Sequence, residues 1–95
     1  MVDTKPLTLR QRQILFLMRQ VDGPTMIYGG TRGFHWRKLD HDHPGGLLIQ
    51  AYMEPDLWLR RRGLIEQVSM NVPGVWYRLT REGDRRASKI KRMPT

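Results

Sequence analysis

Ninety-five residues, 39% of them hydrophobic and three of them Trp, suffice for one compact domain and not for two. The absence of cysteine excludes disulfide frameworks, thiolate metal sites and cysteine nucleophiles, and no stretch approaches the roughly 18–20 apolar residues of a membrane span. Seventeen Lys and Arg against nine Asp and Glu leave a net charge of +8, which points to a polyanionic partner.

Residues 1–7 read as a loose arm, with Pro6 discouraging helix. Thr8 is a candidate N-cap, and Gln11 stands three residues on, as a capping box requires. Ile14, Leu15, Leu17, Met18 and Val21 then form an apolar stripe at helical spacing, so a helix is expected from Leu9 to Val21. Asp22-Gly23-Pro24 should end it, through a glycine able to turn left-handed and a proline that cannot continue.

Met26-Ile27-Tyr28 is a short apolar run that reads as a strand. Gly29, Gly30 and Gly33 make a turn around Thr31-Arg32. The periodicity of residues 34–39 fits strand or helix equally, and residues 40–46 read as loop. Leu47 to Met53 is apolar and helix-compatible. Pro55 interrupts it and suits the first turn of a further helix running to Arg62. A single kinked helix is the alternative, and Gly63 closes either. Leu64 to Met70 and Val75 to Leu79 form a hairpin around Asn71-Val72-Pro73-Gly74. Thr80 caps a last helix from Arg81 to Lys91, docked by Ala87 and Ile90. The expected organisation is an arm over 1–7, a folded domain over 8–91 and a frayed basic tail over 92–95.

Leu59-Arg60-Arg61-Arg62-Gly63-Leu64-Ile65-Glu66, followed by Trp76-Tyr77-Arg78-Leu79-Thr80-Arg81-Glu82-Gly83, resembles winged-helix transcriptional regulators of the MarR-like and PadR-like kind. In those families a helix ends in such a Leu-to-Gly run and passes into a wing hairpin that closes on Tyr-x-Leu-Thr-x-x-Gly. The likeness covers residues 7–22 and 57–87 and leaves out 23–46. It implies an α+β winged helix-turn-helix with three or four helices and a two- or three-stranded antiparallel wing.

The resemblance also implies a DNA surface. The wing would offer Asn71 at its tip, with Arg78 and Arg81 beyond it, to the minor groove or the backbone. Arg60, Arg61 and Arg62 are the densest basic run beside a helix and would contact phosphates. The reading helix would carry Gln50 and Tyr52, the polar groups of an otherwise apolar Leu47–Met53, with Arg32, Arg37 and Lys38 as substitutes. Charge placement agrees. Residues 1–21 hold four basic groups and one acidic, residues 22–67 six of each, and residues 68–95 seven basic and two acidic.

Other chemistries are poorly represented. His41, Asp42 and His43, with His35 and Asp40 nearby, have no recognised ligand spacing and read as loop. Gly29 to Gly33 lacks the Lys and the Ser/Thr ending of a phosphate loop, and no nucleophile stands in a recognisable triad. Trp76 is expected in the core, and Trp58, beside Leu57 and three arginines, at an interface. No enzymatic activity, cofactor or metal is expected. The first expectation is a cytoplasmic, dimeric regulator bound to double-stranded DNA. The second is a protein-binding module, of the kind a phage or mobile element uses to occupy a host nucleic-acid-binding protein. Small size and the apolar run from Leu47 to Met53 motivate it.

Overall fold

Thr8 opens the first helix with both bonds of a capping box. Its hydroxyl accepts from the Gln11 N–H at 3.1 Å, and the Gln11 side chain accepts from the Thr8 N–H at 2.9 Å. The computed structural model describes residues 5–21, 23–29, 32–39, 46–51 and 59–95. In it α1 runs Leu9–Gln20 and buries Ile14, Leu15, Leu17 and Met18 of the stripe read from the sequence, together with Gln11, while Val21 falls at the C-cap and is partly buried. The helix stops because Val21 turns extended. Gly23 takes no left-handed conformation; the described glycines that do are Gly33, Gly63 and Gly74.

Five strands follow: β1 (Thr25–Tyr28), β2 (Phe34–Lys38), β3 (Leu47–Ala51), β4 (Ile65–Val68) and β5 (Trp76–Leu79). They form one sheet in the order β2-β3-β1-β5-β4. β1 and β3 are parallel, and the other neighbours are antiparallel. A further helix, α2, is Arg81–Ala87.

This sheet overturns the winged-helix expectation. A wing has two or three antiparallel strands, whereas this sheet has five and contains a parallel pair. The decisive segment is Leu47-Leu48-Ile49-Gln50-Ala51, expected as helix. A five-residue apolar run is too short for periodicity to separate strand from helix, and burial separates them. Leu47, Ile49 and Ala51 are wholly buried, while Leu48 and Gln50 between them are half-buried. That period of two belongs to a strand. β3 is central, hydrogen-bonded to β1 on one side and β2 on the other.

The C-terminal hairpin and its junctions follow their local signals. Residues 59–61 are helical; the preceding residues of the helix expected from Pro55 lie outside the described ones. Gly63 (φ +72°) donates to the Arg60 carbonyl at 2.9 Å and Leu64 donates to the Leu59 carbonyl at 3.0 Å. This is a Schellman turn, completed by Leu59 and Leu64 in the same buried cluster. β4 and β5 then pair with Ile65 opposite Leu79 and Val68 opposite Trp76. Thr80 ties the region together: its hydroxyl donates to the Gly63 carbonyl at 2.6 Å and accepts from the Gly83 N–H at 3.0 Å.

Ladder partners share a face, so the register divides the sheet. One face carries Ile27, Leu47, Ile49, Ile65 and Tyr77, which join Ile14, Leu15, Leu17 and Met18 of α1 and Ala87 of α2 in the core. The last helix was expected to reach Lys91 but ends at Ala87, with Ile90 still packed on the core. At the C-terminal end, expected to fray, Met93 packs against the core and the Pro94 carbonyl accepts from Gln13 at 3.0 Å.

Glu82, in the first turn of α2, is hydrogen-bonded by Arg85. That bond, with smaller help from the charges of Arg85, Arg86 and Lys89, holds its carboxyl below the usual 4.5 against desolvation, which opposes it and ranks next after the bond. A folded carboxyl more acidic than the unfolded one contributes stability that is complete above the unfolded pKa. The contribution is lost as pH falls through the folded value. The melting-temperature difference between wild type and Glu82→Gln is therefore expected at neutral pH, small as surface pairs are, and should close as acid protonates Glu82. A difference that persists in acid would assign the effect to something other than this carboxylate.

Candidate nucleic-acid interface

The second face of the sheet is built by the same register. One row across it runs Val68, Trp76, Met26, Leu48, Arg37. A second runs Tyr28, Gln50, His35, and a third pairs Glu66 with Arg78. Trp76 is the floor of this face. It is 1% exposed, and its indole N–H donates to the Pro73 carbonyl at 3.3 Å as the 71–74 turn folds back. Trp76 is therefore buried as expected, but on the side of the sheet away from the main core.

Around that floor the face is wet, polar and aromatic. Tyr28 is 44% exposed, His35 and Arg37 are exposed, and Gln50 is half-buried between Tyr28 and His35. Neighbouring strands lie about 4.8 Å apart, so the Tyr28 and His35 backbones are separated by roughly 10 Å with Gln50 midway. Two rings thus flank one amide. Beside them His35, Arg37, Leu48 and Gln50 border a shallow cavity of about 70 Å³. Glu66 and Arg78 face each other across β4 and β5 at 2.6 Å, both largely exposed.

The remaining expected contacts are scattered. Arg32 is exposed in the β1–β2 connection, Asn71 at the hairpin tip, and Arg81 at the start of α2. Arg60 and Arg61 are exposed, with the Arg60 guanidinium 5.8 Å from the centre of the Tyr77 ring. Arg62 differs from its two neighbours. Its guanidinium donates to the carbonyls of Lys5 and Pro6 and to the Gln11 side chain, and Arg86 also donates to Lys5. Arg62 thus holds the N-terminal arm against α1. Lys38 lies on the core side of edge strand β2, by a cavity of about 300 Å³ whose walls include Phe16, Leu17, Trp36 and Met93. Tyr52, His41, Asp42, His43 and Trp58 lie outside the described residues.

The sheet therefore brings Arg37, Gln50 and Arg78 to one face and leaves Lys38, Arg60, Arg61, Arg62 and Arg81 elsewhere. It adds Tyr28 and His35, which sequence reading missed. Their signal was parity: once 25–28, 34–38 and 47–51 are strands in this register, Met26 and Tyr28 share a side with His35 and Arg37. All seventeen Lys and Arg are among the described residues, but only three of the nine acids are: Glu66, Glu82 and Asp84. Each of those three is paired with an arginine: Arg78, Arg85 and Arg19. Among the described residues no cluster of His, Asp and Glu is arranged to hold a metal, and no helix is long and apolar enough to cross a membrane.

No protein-family model matches the chain, and neither a curated protein nor a solved structure shows significant similarity to it.

Proposed function

We propose that this protein is a small, non-enzymatic nucleic-acid-binding protein, with DNA as its ligand. One observation carries the reading. The net charge is +8, every described acid is already neutralised by an arginine, and Arg32, Arg37, Arg61 and Arg81 remain exposed without an ion pair to a described residue. Such side chains displace condensed counterions from a phosphate backbone, a contribution that grows with each contact. The helical reading head once expected at 47–53 has no part in it, because residues 47–51 are a central strand.

The alternative of a protein-binding module drew on the apolar run from Leu47. Leu47, Ile49 and Ala51 are now spent on the core, which removes that motive.

Binding is tested by fluorescence anisotropy with labelled DNA across a salt series. The affinity should fall steeply with salt. Arg60→Ala with Arg61→Ala should flatten the log–log slope by about 0.7–0.9 for each lost phosphate contact. Both side chains are exposed, so stability should hold within roughly 0.5 kcal/mol. Failure to bind DNA more tightly than about 100 µM at low salt would rule the reading out.

A further inference from the structure

Building on the nucleic-acid reading, we infer that the second face of the sheet is a stacking platform for single-stranded nucleic acid, with Tyr28 and His35 as the stacking rings. Gln50 is the polar group between them, and Arg37 is the phosphate contact.

Four observations converge. First, the register places Tyr28, Gln50 and His35 in one row on one face, with Arg37 on the same side of β2. Second, Tyr28 is 44% exposed and His35 is exposed, and neither ring has a hydrogen-bond or ring partner among the described residues. Exposed rings on a rigid sheet lose little entropy when a base lands on them, and every base offers a π-face. Third, the described helices α1 and α2 contribute to the core on the opposite face. Fourth, the charge is complementary: Arg37, exposed and without an ion pair to a described residue, stands two residues along β2 from His35 on the same face, on a chain of net charge +8.

The same features disfavour a duplex at this face. A duplex keeps its base faces stacked within itself and offers a flat sheet only phosphates, which would leave Tyr28 and His35 without a role. An unpaired strand presents base faces to the rings and base edges to the amide. Rings carried on strands whose backbones are roughly 10 Å apart suit bases splayed from one strand, and Gln50, on the strand between them, is placed to hydrogen-bond a base edge. The cavity beside Gln50, about 70 Å³, is lined by His35, Arg37 and the apolar Leu48 among others. The Arg78–Glu66 pair bounds the platform on the side away from Tyr28.

The test compares a labelled 20-nucleotide single strand with its blunt duplex, using the full chain at matched salt. The single strand should bind at least tenfold more tightly. Tyr28→Leu keeps apolar bulk and removes the ring. It should weaken single-strand binding roughly 5- to 100-fold, the range for one lost base stack, without changing the salt slope, since no cation is removed. Tyr28→Phe should restore most of the affinity, and a thermal melt of each variant separates lost binding from lost folding. His35→Ala should weaken the single strand and spare the duplex. Three results would overturn the inference. Equal or tighter duplex binding with Tyr28→Leu silent would remove the platform and leave the DNA-binding reading intact. A change of sedimentation on Tyr28→Leu, with single-strand affinity unchanged, would make this face a contact between copies of the chain. Binding of neither probe would remove the broader reading as well.

Discussion

Gly83→Ala is expected to lower the melting temperature by roughly 10–20 °C, although alanine is the better helix former by about 1 kcal/mol. Gly83 is buried in the first turn of α2 and donates its N–H to the Thr80 cap at 3.0 Å. A Cβ there would sit 1.9 Å from the Leu64 carbonyl oxygen and 2.8 Å from its carbon. Both are backbone atoms, and that carbonyl also accepts the Thr80 N–H at 3.1 Å. No rotamer change can make room, so the helix must lift off the Schellman turn or the turn must deform. Overpacking of this kind costs about 1–3 kcal/mol, and a backbone collision belongs at the upper end. Gly63→Ala is the control. Its Cβ would meet nothing within 4 Å, so only the left-handed φ of +72° is penalised, at about 1–2 kcal/mol. Melting curves followed by circular dichroism read both. An unchanged Gly83→Ala protein would mean that α2 is not seated on the Leu64 backbone.

The junctions around Gly63 and Gly83 were legible in the sequence because their bonds close within a few residues. Thr8 with Gln11, Arg60 with Gly63, Leu59 with Leu64, and Thr80 with Gly83 are short-range hydrogen-bonding devices. Each residue type is present because a nearby N–H or C=O needs it. The resemblance to winged helices has the same origin. Leu59 to Ile65 and Tyr77 to Gly83 encode a helix stop, a hairpin and a capped helix. Any fold needing that succession can carry those residues, and they say nothing of what precedes them.

Within residues 25–51 the strand at Met26-Ile27-Tyr28 was legible, but the rest and the pairing of the whole segment were not, for the opposite reason. β1 is parallel to β3 and antiparallel to β5, and each partner is distant in the chain. β2 is reached first but lies outside β3. No local signal specifies that order; it follows from which face each strand can bury. The candidate site inherits the difficulty. Tyr28, His35 and Gln50 become neighbours only through the β1–β3 and β2–β3 registers. Their parity is further masked because Met26 and Leu48 are apolar residues on the face away from the core. Charge, by contrast, was legible throughout, since it needs no fold.

Ile49→Ala should cost about 2–5 kcal/mol, whereas Gln50→Ala should change stability by less than about 1 kcal/mol. The contrast follows from alternation. Ile49 is wholly buried in the central strand, where truncation leaves a cavity among α1, β1 and β2 that close-packed neighbours only partly fill. Gln50, one residue on, points to the other face. Had 47–53 been a solvent-facing reading helix, Ile49 would have tolerated truncation and Gln50 would have shared its face with residues three and four away. Urea unfolding of the two variants distinguishes these arrangements, because a shift in midpoint at constant slope reports stability alone. A mild Ile49→Ala would argue against the sheet. The binding measurement should run in the reverse order. Gln50→Ala, stable and folded, should lose single-strand affinity through the missing base-edge bond. Ile49→Ala, measured where it remains folded, should keep that affinity, because the side chain it lacks faces the core and not the ligand. One pair of adjacent residues thus separates what β3 does for the fold from what it does for binding.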